Sequence, residues 1–309
     1  MMRLMACVGL ILGLVLAMDR TLASGLERLL LDSSDRFVAV YRPGPPVDVA
    51  ILGNSRADNH FPADAVAEAA CGRALNLGMG GAPTVVSAAL WDDYLERHGA
   101  PRLLILEPTS VVDDPRDLAD APMLSAWSER VDALVHEADA TLWASNHAFR
   151  LLTFNSNQTI RTALGLLRED AADRTLTGRI GTSYRAMVER APPETWQPHA
   201  RNLAALDHIV ESAREHGTTV VVVITPLYRP FIAKLANYGP FFDALKARLP
   251  ADVPVIDLRE AVADDAHFAD PLHVNRDGVR VILDRLKVEL AGHGGCGGPV
   301  VAGVGTMTP

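Results

Sequence analysis

The sequence predicts an α/β protein: a three-layer, doubly wound parallel sheet of about five strands, with a mainly helical insertion. Five short apolar runs rich in β-forming residues supply the strands, and helix-like stretches separate them. Near-continuous apolar strands between helices are typical of a parallel sheet that is covered on both faces. The 309 residues are enough to bury a sizeable core.

The predicted elements follow in chain order. Strands are expected over residues 47–52, 74–77, 103–106, 219–224 and 253–258, and helices over 62–70 and 84–98. Asn275 can cap a last helix whose apolar residues recur at helical spacing. Between about residues 109 and 198 the alternation stops and the sequence looks helical. We interpret this stretch as an insertion in a domain that spans residues 47–291.

The N-terminus resembles an export signal. Arg3 precedes an uncharged run, Leu4 to Met18, and the pair Asp19-Arg20 closes it. The run is short for a membrane span and suits the apolar part of a signal peptide. Residues 1–24 are therefore predicted to be a signal peptide or a retained signal anchor, with a buried N-terminal helix as the alternative.

The segments that flank the main domain are less regular. Residues 25–46 form a predicted helical lead-in that ends at the breakers Arg42-Pro43-Gly44-Pro45-Pro46, and residues 292–309 are a predicted flexible Gly-rich tail. The cysteines Cys7, Cys71 and Cys296 have no metal-ligand spacing. A disulfide between Cys71 and Cys296 is compatible with an oxidising compartment, but the sequence does not require it.

Charge excludes one class of partner. The formal net charge is −9, and no cluster of Lys and Arg is present, so a nucleic-acid binder is not expected. No cofactor or metal is predicted. Glu107, Asp113 and Asp114 are interpreted as a solvated loop at a strand end, because no histidine accompanies them.

Ser55 is the first candidate for chemistry. It follows the first predicted strand in the run Gly53-Asn54-Ser55, at the edge of the sheet where ligands bind in doubly wound folds. A serine there can act as a nucleophile once a base removes its proton. The alternative is that Ser55 only caps the following helix.

A second site follows the fifth strand. Asp270 and His273 are three residues apart across Pro271, so the carboxylate can orient the imidazole, which can then accept a proton from Ser55. His267 is a second histidine nearby; His273 is preferred because the short turn directs both side chains to one place.

These blocks resemble the SGNH/GDSL hydrolase superfamily. The resemblance rests on Gly53-Asn54-Ser55, on the later Asn76-x-Gly78-x-x-Gly81, and on Asp270-x-x-His273, and it covers roughly residues 47–107 and 218–290. It implies an SGNH-type fold in which Ser55 is the nucleophile, His273 the base and Asp270 the orienting acid. It also implies an oxyanion hole formed by the backbone N–H groups of Ser55 and Gly81.

Two positions depart from the superfamily pattern. Asn54 stands where many members have Asp. The third strand runs into Leu106-Glu107-Pro108-Thr109-Ser110, where the superfamily has an asparagine that donates to the oxyanion. Losing one such donor typically costs about 100- to 1000-fold in rate. Either another donor replaces the amide, or the chain is slow or inactive.

Finer details resemble exported SGNH-like proteins that modify cell-envelope polymers, such as D-alanine-transfer proteins and partners of membrane-bound O-acyltransferases. The details are Arg56 after the serine, the acidic-proline strand end, and the run from Ile224 to Pro230. The resemblance implies an exported chain at the outer face of the membrane, an acylated glycan or polymer as substrate, and a membrane-bound O-acyltransferase as a possible partner. Arg56 can hold a substrate anion through its fork or form a salt bridge instead. The remaining candidate substrate-binding residues are Asn76, Gly78, Thr109, Tyr228 and Arg229.

Three hypotheses follow. The first is an exported serine esterase or O-acyltransferase with the triad Ser55, His273 and Asp270. The second is a catalytically weak or inactive SGNH-like protein that binds glycans or supports a membrane acyltransferase. The third is a cytosolic α/β protein without ester chemistry, which requires the N-terminal run to be a core helix.

Overall fold

The computed structural model describes residues 1–157, 159–160 and 175–293. The chain divides into two compact units. Met1–Pro43 and Leu118–Ala172 form the first, called here the helical unit; Gly44–Asp117 and Asp173–Pro309 form the second, the sheet unit. Most of the predicted tail, including Cys296, lies outside the described residues. Cys71 is disulfide-bonded, and its pairing with Cys296 stays a prediction.

The sheet unit contains a five-stranded, entirely parallel sheet. Its strands are β1 (Val49–Leu52), β2 (Ala74–Asn76), β3 (Leu103–Leu106), β4 (Thr219–Ile224) and β5 (Val255–Asp257). Their order across the sheet is β2-β1-β3-β4-β5, and each neighbouring pair is parallel. The predicted α/β class and strand number are confirmed. Strand order reverses between β1 and β3, and doubly wound sheets bind ligands in the crevice at such a point.

The described helices are α1 (Met2–Leu31), α2 (Ser55–His60), α3 (Ala63–Ala70), α4 (Thr84–His98), α5 (Glu129–Ala138), α6 (Ala140–Ala148), α7 (Thr182–Arg190), α8 (Ala200–Glu215), α9 (Arg229–Ile232), α10 (Tyr238–Arg248) and α11 (Arg276–Leu290). Short 3₁₀ helices cover Val38–Tyr41, Pro108–Val112, Ala121–Ala126, Arg150–Phe154 and Asp265–His267. Asn275 caps α11 by accepting hydrogen bonds from the N–H groups of Asp277 and Gly278, as its side-chain chemistry predicts.

The core of the sheet unit lies on the strands. Val49, Ile51, Ile105 and Val223 are fully buried in one cluster with apolar residues of α2, α3 and α11. Helix α8 packs on β4, and α4 packs on α8. The helices pack tightly on the buried strands, and this packing fixes the strand ends. The loops that leave the carboxyl ends of the strands therefore start from fixed positions.

The helical unit contains the N-terminal helix. Helix α1 is long and apolar enough to cross a membrane by length and composition, and it runs without a break across the predicted boundary at residue 24. Its first half is exposed, with side chains such as Leu4, Ile11 and Met18 more than half accessible. Further along, Asp19 is buried and its carboxylate accepts hydrogen bonds from the N–H groups of Arg150 (2.8 Å) and Leu151 (3.1 Å). This part of α1 therefore caps another element of its own unit.

Candidate active site

Ser55 stands at the first residue of α2, directly after the loop that leaves β1. The N-cap of α2 is Asn54, whose side-chain oxygen accepts a hydrogen bond from the N–H of Arg56 at 3.1 Å. The capping role considered for Ser55 thus belongs to its neighbour. The Ser55 hydroxyl is left for other contacts, and its residue is partly exposed.

Three side chains meet at this point. The Nε2 atom of His273 lies 2.8 Å from Oγ of Ser55. The Nδ1 atom of His273 lies 2.8 Å and 3.0 Å from the two carboxylate oxygens of Asp270. The structure therefore brings Ser55, His273 and Asp270 into one hydrogen-bonded chain across 218 residues of sequence. In this arrangement the carboxylate orients the imidazole, and the second ring nitrogen faces the serine hydroxyl.

The turn around Asp270 fixes the imidazole. Oδ1 of Asp270 also accepts hydrogen bonds from the N–H groups of Leu272 (2.8 Å) and His273 (2.9 Å). Burial by itself raises the pKa of Asp270, but the hydrogen bond from His273, the charge of His273 and these backbone donors lower the pKa overall. The carboxylate is therefore ionised near neutral pH, as an orienting acid must be.

The loop after β2 packs against the Ser55 loop. The Asn76 side chain donates to the carbonyls of Ala57 and Phe61, both at 2.7 Å, and accepts from the N–H of Gly78 at 2.8 Å. A Cβ built on Gly78 comes within 2.6 Å of the Asp58 nitrogen. Asn76 and Gly78, both predicted to bind substrate, are buried here and hold the backbone of α2.

Two exposed glycines follow Gly78, and the first of them lies close to the serine. A Cβ built on Gly80 would lie 3.8 Å from Cβ of Ser55, and Gly81, the predicted oxyanion donor, has a φ of 74°. Both glycines are exposed, as Ser55 partly is. Gly80 therefore lies beside the partly exposed serine without placing a side chain against it.

The end of β3 differs from the predicted solvated loop. Glu107 is 0% exposed, and the Thr109 hydroxyl is a hydrogen-bond donor to both Glu107 carboxyl oxygens, at 2.7 and 2.6 Å. Arg56 is also buried, and its Nε lies 3.7 Å from Glu107 Oε1. Burial raises the pKa of Glu107, although Arg56 and the bonds from Thr109 oppose it. The interpretation of Glu107 as solvated is wrong. Its carboxyl group can be buried because the Arg56 guanidinium pairs with it and the Thr109 hydroxyl donates to it.

Arg56 and Thr109 were both predicted to bind substrate, and their contacts in the structure differ. The guanidinium of Arg56 lies 5.3 Å from the centre of the Trp196 ring, and its Nη1 atom is buried without a hydrogen-bond partner among the described residues. The hydroxyl of Thr109 is engaged by Glu107. Arg56 therefore has an unused donor beside the serine loop, whereas Thr109 supports Glu107.

A second carboxylate holds the cap of α2. Oδ2 of Asp113 accepts a hydrogen bond from the Asn54 amide at 3.0 Å. Burial raises the pKa of Asp113 from 3.8 to about 6, against the opposing effects of the Asn54 bond and of Arg56. The raised pKa means that the Asp113 carboxyl binds its proton more tightly in the folded chain than in the unfolded chain. Protonation of Asp113 therefore stabilises the fold fully below about pH 4, and this stabilisation is lost as the pH rises through about 6.

Asp113→Asn is therefore expected to stabilise the fold above pH 6. The neutral amide keeps an acceptor for Asn54 and removes the buried charge, so the free energy of unfolding should rise by about 1–2 kcal/mol at pH 7.5 and change little at pH 4.5. Chemical denaturation at the two pH values measures this. Asp114→Asn, an exposed neighbour, is the control and should show no such pH dependence; a gain at pH 4.5 equal to that at pH 7.5 would contradict the assignment.

Sequence reasoning missed His60. This histidine is fully buried at the end of α2, its Nε2 accepts a hydrogen bond from the N–H of Val274 at 3.1 Å, and its ring lies 5.9 Å from that of His273. Burial, the charge of His273 and that of Arg56 lower its pKa well below the usual value, so the ring is neutral and can accept that bond. The signal in the sequence was a histidine five residues after the serine in the same short helix.

The other predicted residues lie around the fourth strand. Tyr228 is buried and its hydroxyl donates to Asp265 at 3.2 Å, while its N–H donates to the carbonyl of Pro271 at 3.1 Å. Arg229 is exposed, with Nη2 3.7 Å from Glu260. Tyr228 thus supports the turn that carries Asp270. Among the described residues, no group of three or more His, Cys, Asp or Glu is placed to hold a metal ion.

Comparison with known proteins gives only distant similarities. No family model matches the chain and no curated protein matches it. A crystal structure of a candidate acylhydrolase from Bacteroides fragilis NCTC 9343 is 12% identical with a TM-score of 0.41, covering 80% of this chain and 89% of the other. A structure described as a candidate platelet activating factor from Streptococcus pneumoniae is 14% identical with a TM-score of 0.40, covering 92% and 98%. At this level neither similarity assigns an activity to the chain.

Proposed function

We propose that the chain is an exported, membrane-anchored serine esterase or O-acyltransferase that acts on acyl esters of a glycan or cell-envelope polymer. The observation that carries the proposal is the hydrogen-bonded chain from Ser55 Oγ through His273 to Asp270, with distances of 2.8 Å on both sides of the imidazole. Nucleophile, base and orienting acid in this geometry are the parts of a serine triad.

In the proposed reaction, Ser55 Oγ attacks the ester carbonyl while Nε2 of His273 takes the hydroxyl proton. Backbone N–H groups of Ser55 and Gly81 donate to the oxyanion. The ester C–O bond then breaks, the alcohol leaves with the proton from His273, and the acyl group stays on Ser55. Water releases it as an acid, or a sugar hydroxyl accepts it as a new ester.

The location of the reaction is part of the proposal. Helix α1 has the length and composition of a membrane span, and its first half is exposed and apolar. Retention of α1 as an anchor agrees with the buried Asp19, which is bonded to the backbone of Arg150 and Leu151. A membrane-bound O-acyltransferase is the proposed partner, because it could supply or receive the acyl group at the same surface.

The test is covalent labelling of the full-length chain in detergent with a fluorophosphonate. An activated serine displaces fluoride and keeps the phosphonate, so peptide mass spectrometry should place the label on Ser55. His273→Ala should remove the labelling, since the hydroxyl loses its base. Labelling that is absent from the wild type, or that persists in His273→Ala, would count against the triad.

A second function is favoured by one observation. The buried Glu107 follows strand β3 directly, and the hydroxyl of Thr109 donates to it, so neither supplies the amide donor that the resemblance leads one to expect. The second proposal is accordingly a non-catalytic glycan-binding or scaffolding partner of a membrane acyltransferase. Failure of the wild type to label, with the fold intact, would favour it.

A further inference from the structure

The helical unit contains a cavity of about 820 Å³. Its walls include Arg20, Trp127, Asp132, Trp143, Asn146 and Arg150, all of which belong to this unit. The volume falls in the range of sites that take small molecules. None of the residues that carry the proposed reaction takes part in it.

One wall of the cavity carries a buried acceptor without a partner. Asn146 is only 6% exposed, and its side-chain oxygen has no hydrogen-bond partner among the described residues. Leaving such a group unpaired costs about 1–3 kcal/mol, so an unpaired buried amide in a cavity wall calls for an explanation. The oxygen is covered in the structure, so a ligand hydroxyl would donate to it after the Asn146 side chain has turned toward the cavity, and that bond would satisfy the acceptor.

A second wall is aromatic and rigid. The indole N–H of Trp143 donates to Oδ2 of Asp132 at 2.8 Å, and the ring lies 4.7 Å from His136 and 4.1 Å from His147, centre to centre. Trp127 adds a second indole, stacked at 5.9 Å on Tyr41. Rings held in this way offer broad apolar surface to a ligand at little entropic cost.

The two arginines of the cavity are paired with carboxylates within the unit. Arg20 lies 3.1 Å from the carboxylate of Asp19, and Arg150 lies 2.6 Å from that of Glu27. Arg20 also donates to the carbonyl of His147 at 2.9 Å. Both guanidinium groups have carboxylate partners, and the acidic residues Glu129 and Asp132 also line the cavity, so it does not favour an anionic ligand.

We propose that this cavity binds a neutral saccharide. Sugar rings present C–H surfaces, which pack on Trp143 and Trp127, and hydroxyl groups, one of which donates to the oxygen of Asn146. The site is separate from Ser55 and does not depend on the proposed reaction. Carbohydrate could reach it as a free glycan or as the headgroup of a glycolipid.

The experiment titrates full-length chain in detergent with maltotetraose, cellotetraose, chitotetraose and mannotetraose, followed by tryptophan fluorescence and calorimetry. At least one tetrasaccharide, or vesicles that carry monoglucosyl-diacylglycerol, should bind saturably, and Trp143→Ala and Asn146→Leu should each weaken binding about tenfold. Asn146→Leu should not lower the melting temperature, because it removes an unpaired acceptor. Leu142→Ala, an exposed change on the same helix, should leave affinity within twofold.

Three results would overturn the proposal: no saturable binding of any tetrasaccharide or of vesicles that carry monoglucosyl-diacylglycerol, unchanged affinity in both cavity variants, or tighter binding of tetragalacturonate than of the neutral panel. If Asn146→Leu fails to fold, Trp143→Ala decides. Ser55→Ala should bind as the wild type does, which separates this site from the proposed reaction. Vesicles with and without monoglucosyl-diacylglycerol distinguish the two sources: binding to sugar-bearing vesicles alone assigns a lipid headgroup, and binding of free tetrasaccharide assigns a glycan.

Discussion

Ser55→Ala is expected to lower the turnover of p-nitrophenyl acetate by about 10⁴-fold or more. Removing the nucleophile of a triad leaves only the contribution of the oxyanion donors and of substrate binding. The loss should appear in kcat, because the hydroxyl acts in the transition state and not in ground-state binding. Initial rates with full-length chain in detergent, at substrate concentrations on both sides of KM, measure it.

The matched control for this variant is Ser145→Ala. Ser145 is on α6, and within the described part of the chain its hydroxyl donates to the carbonyl of Thr141 at 2.8 Å, so activity should not change. Ser55→Ala should also keep a melting temperature close to that of the wild type, because the side chain loses one partly buried hydrogen bond. Retention of more than a tenth of the wild-type rate by a folded Ser55→Ala would show that another group performs the hydrolysis.

Gly78→Ala is expected to destabilise the sheet unit by about 3 kcal/mol. The added Cβ would lie 2.6 Å from the Asp58 nitrogen and 2.7 Å from the Ala57 Cβ. The backbone nitrogen cannot move aside as a flexible side chain can, so α2 or the loop after β2 must shift. Because α2 begins at Ser55, the same shift should lower activity. Chemical denaturation followed by circular dichroism measures the free energy of unfolding.

Gly181→Ala serves as the control for this change. Gly181 precedes α7 with a φ of −77°, and a Cβ built there has nothing within 4 Å. Its effect should stay within about 0.5 kcal/mol. Equal stability of the two alanine variants would mean that the contact between the two loops is not tight in solution.

Much of the fold could be predicted because the strands are buried on both faces. Leu103–Leu106 and Thr219–Ile224 have the predicted bounds, since an uninterrupted apolar run between polar loops defines a strand of a parallel sheet. The ends of β1 and β5 were less clear: the strands are Val49–Leu52 and Val255–Asp257, shorter than the apolar runs that contain them. Hydrogen bonding to the neighbouring strand sets the ends of β1 and β5, and the sequence of a single strand does not show where that pairing stops.

The residues of the candidate site likewise fall into those that the sequence could identify and those that it could not. Ser55 could be named because it lies just after β1, and Asp270 and His273 because their spacing of three pairs a carboxylate with an imidazole in the stretch that follows β5. The carboxyl ends of parallel strands share one edge. Glu107, Asp113 and His60 could not, because their burial depends on partners that are distant in sequence, such as Arg56 for Glu107 and Val274 for His60. Charged residues near a strand end look solvated until those partners are known.

The continuity of α1 has a mechanical consequence. From Met18 to Leu31 the helix continues for about 20 Å at 1.5 Å per residue. If the first half of α1 lies in the bilayer, as proposed, a stiff helix and not a flexible tether joins the helical unit to the membrane. A tether would let the unit sample a wide volume above the lipid. A stiff helix holds this unit at one height, so that its encounters with carbohydrate depend on lateral diffusion in the plane of the membrane and on which polymers pass at that height.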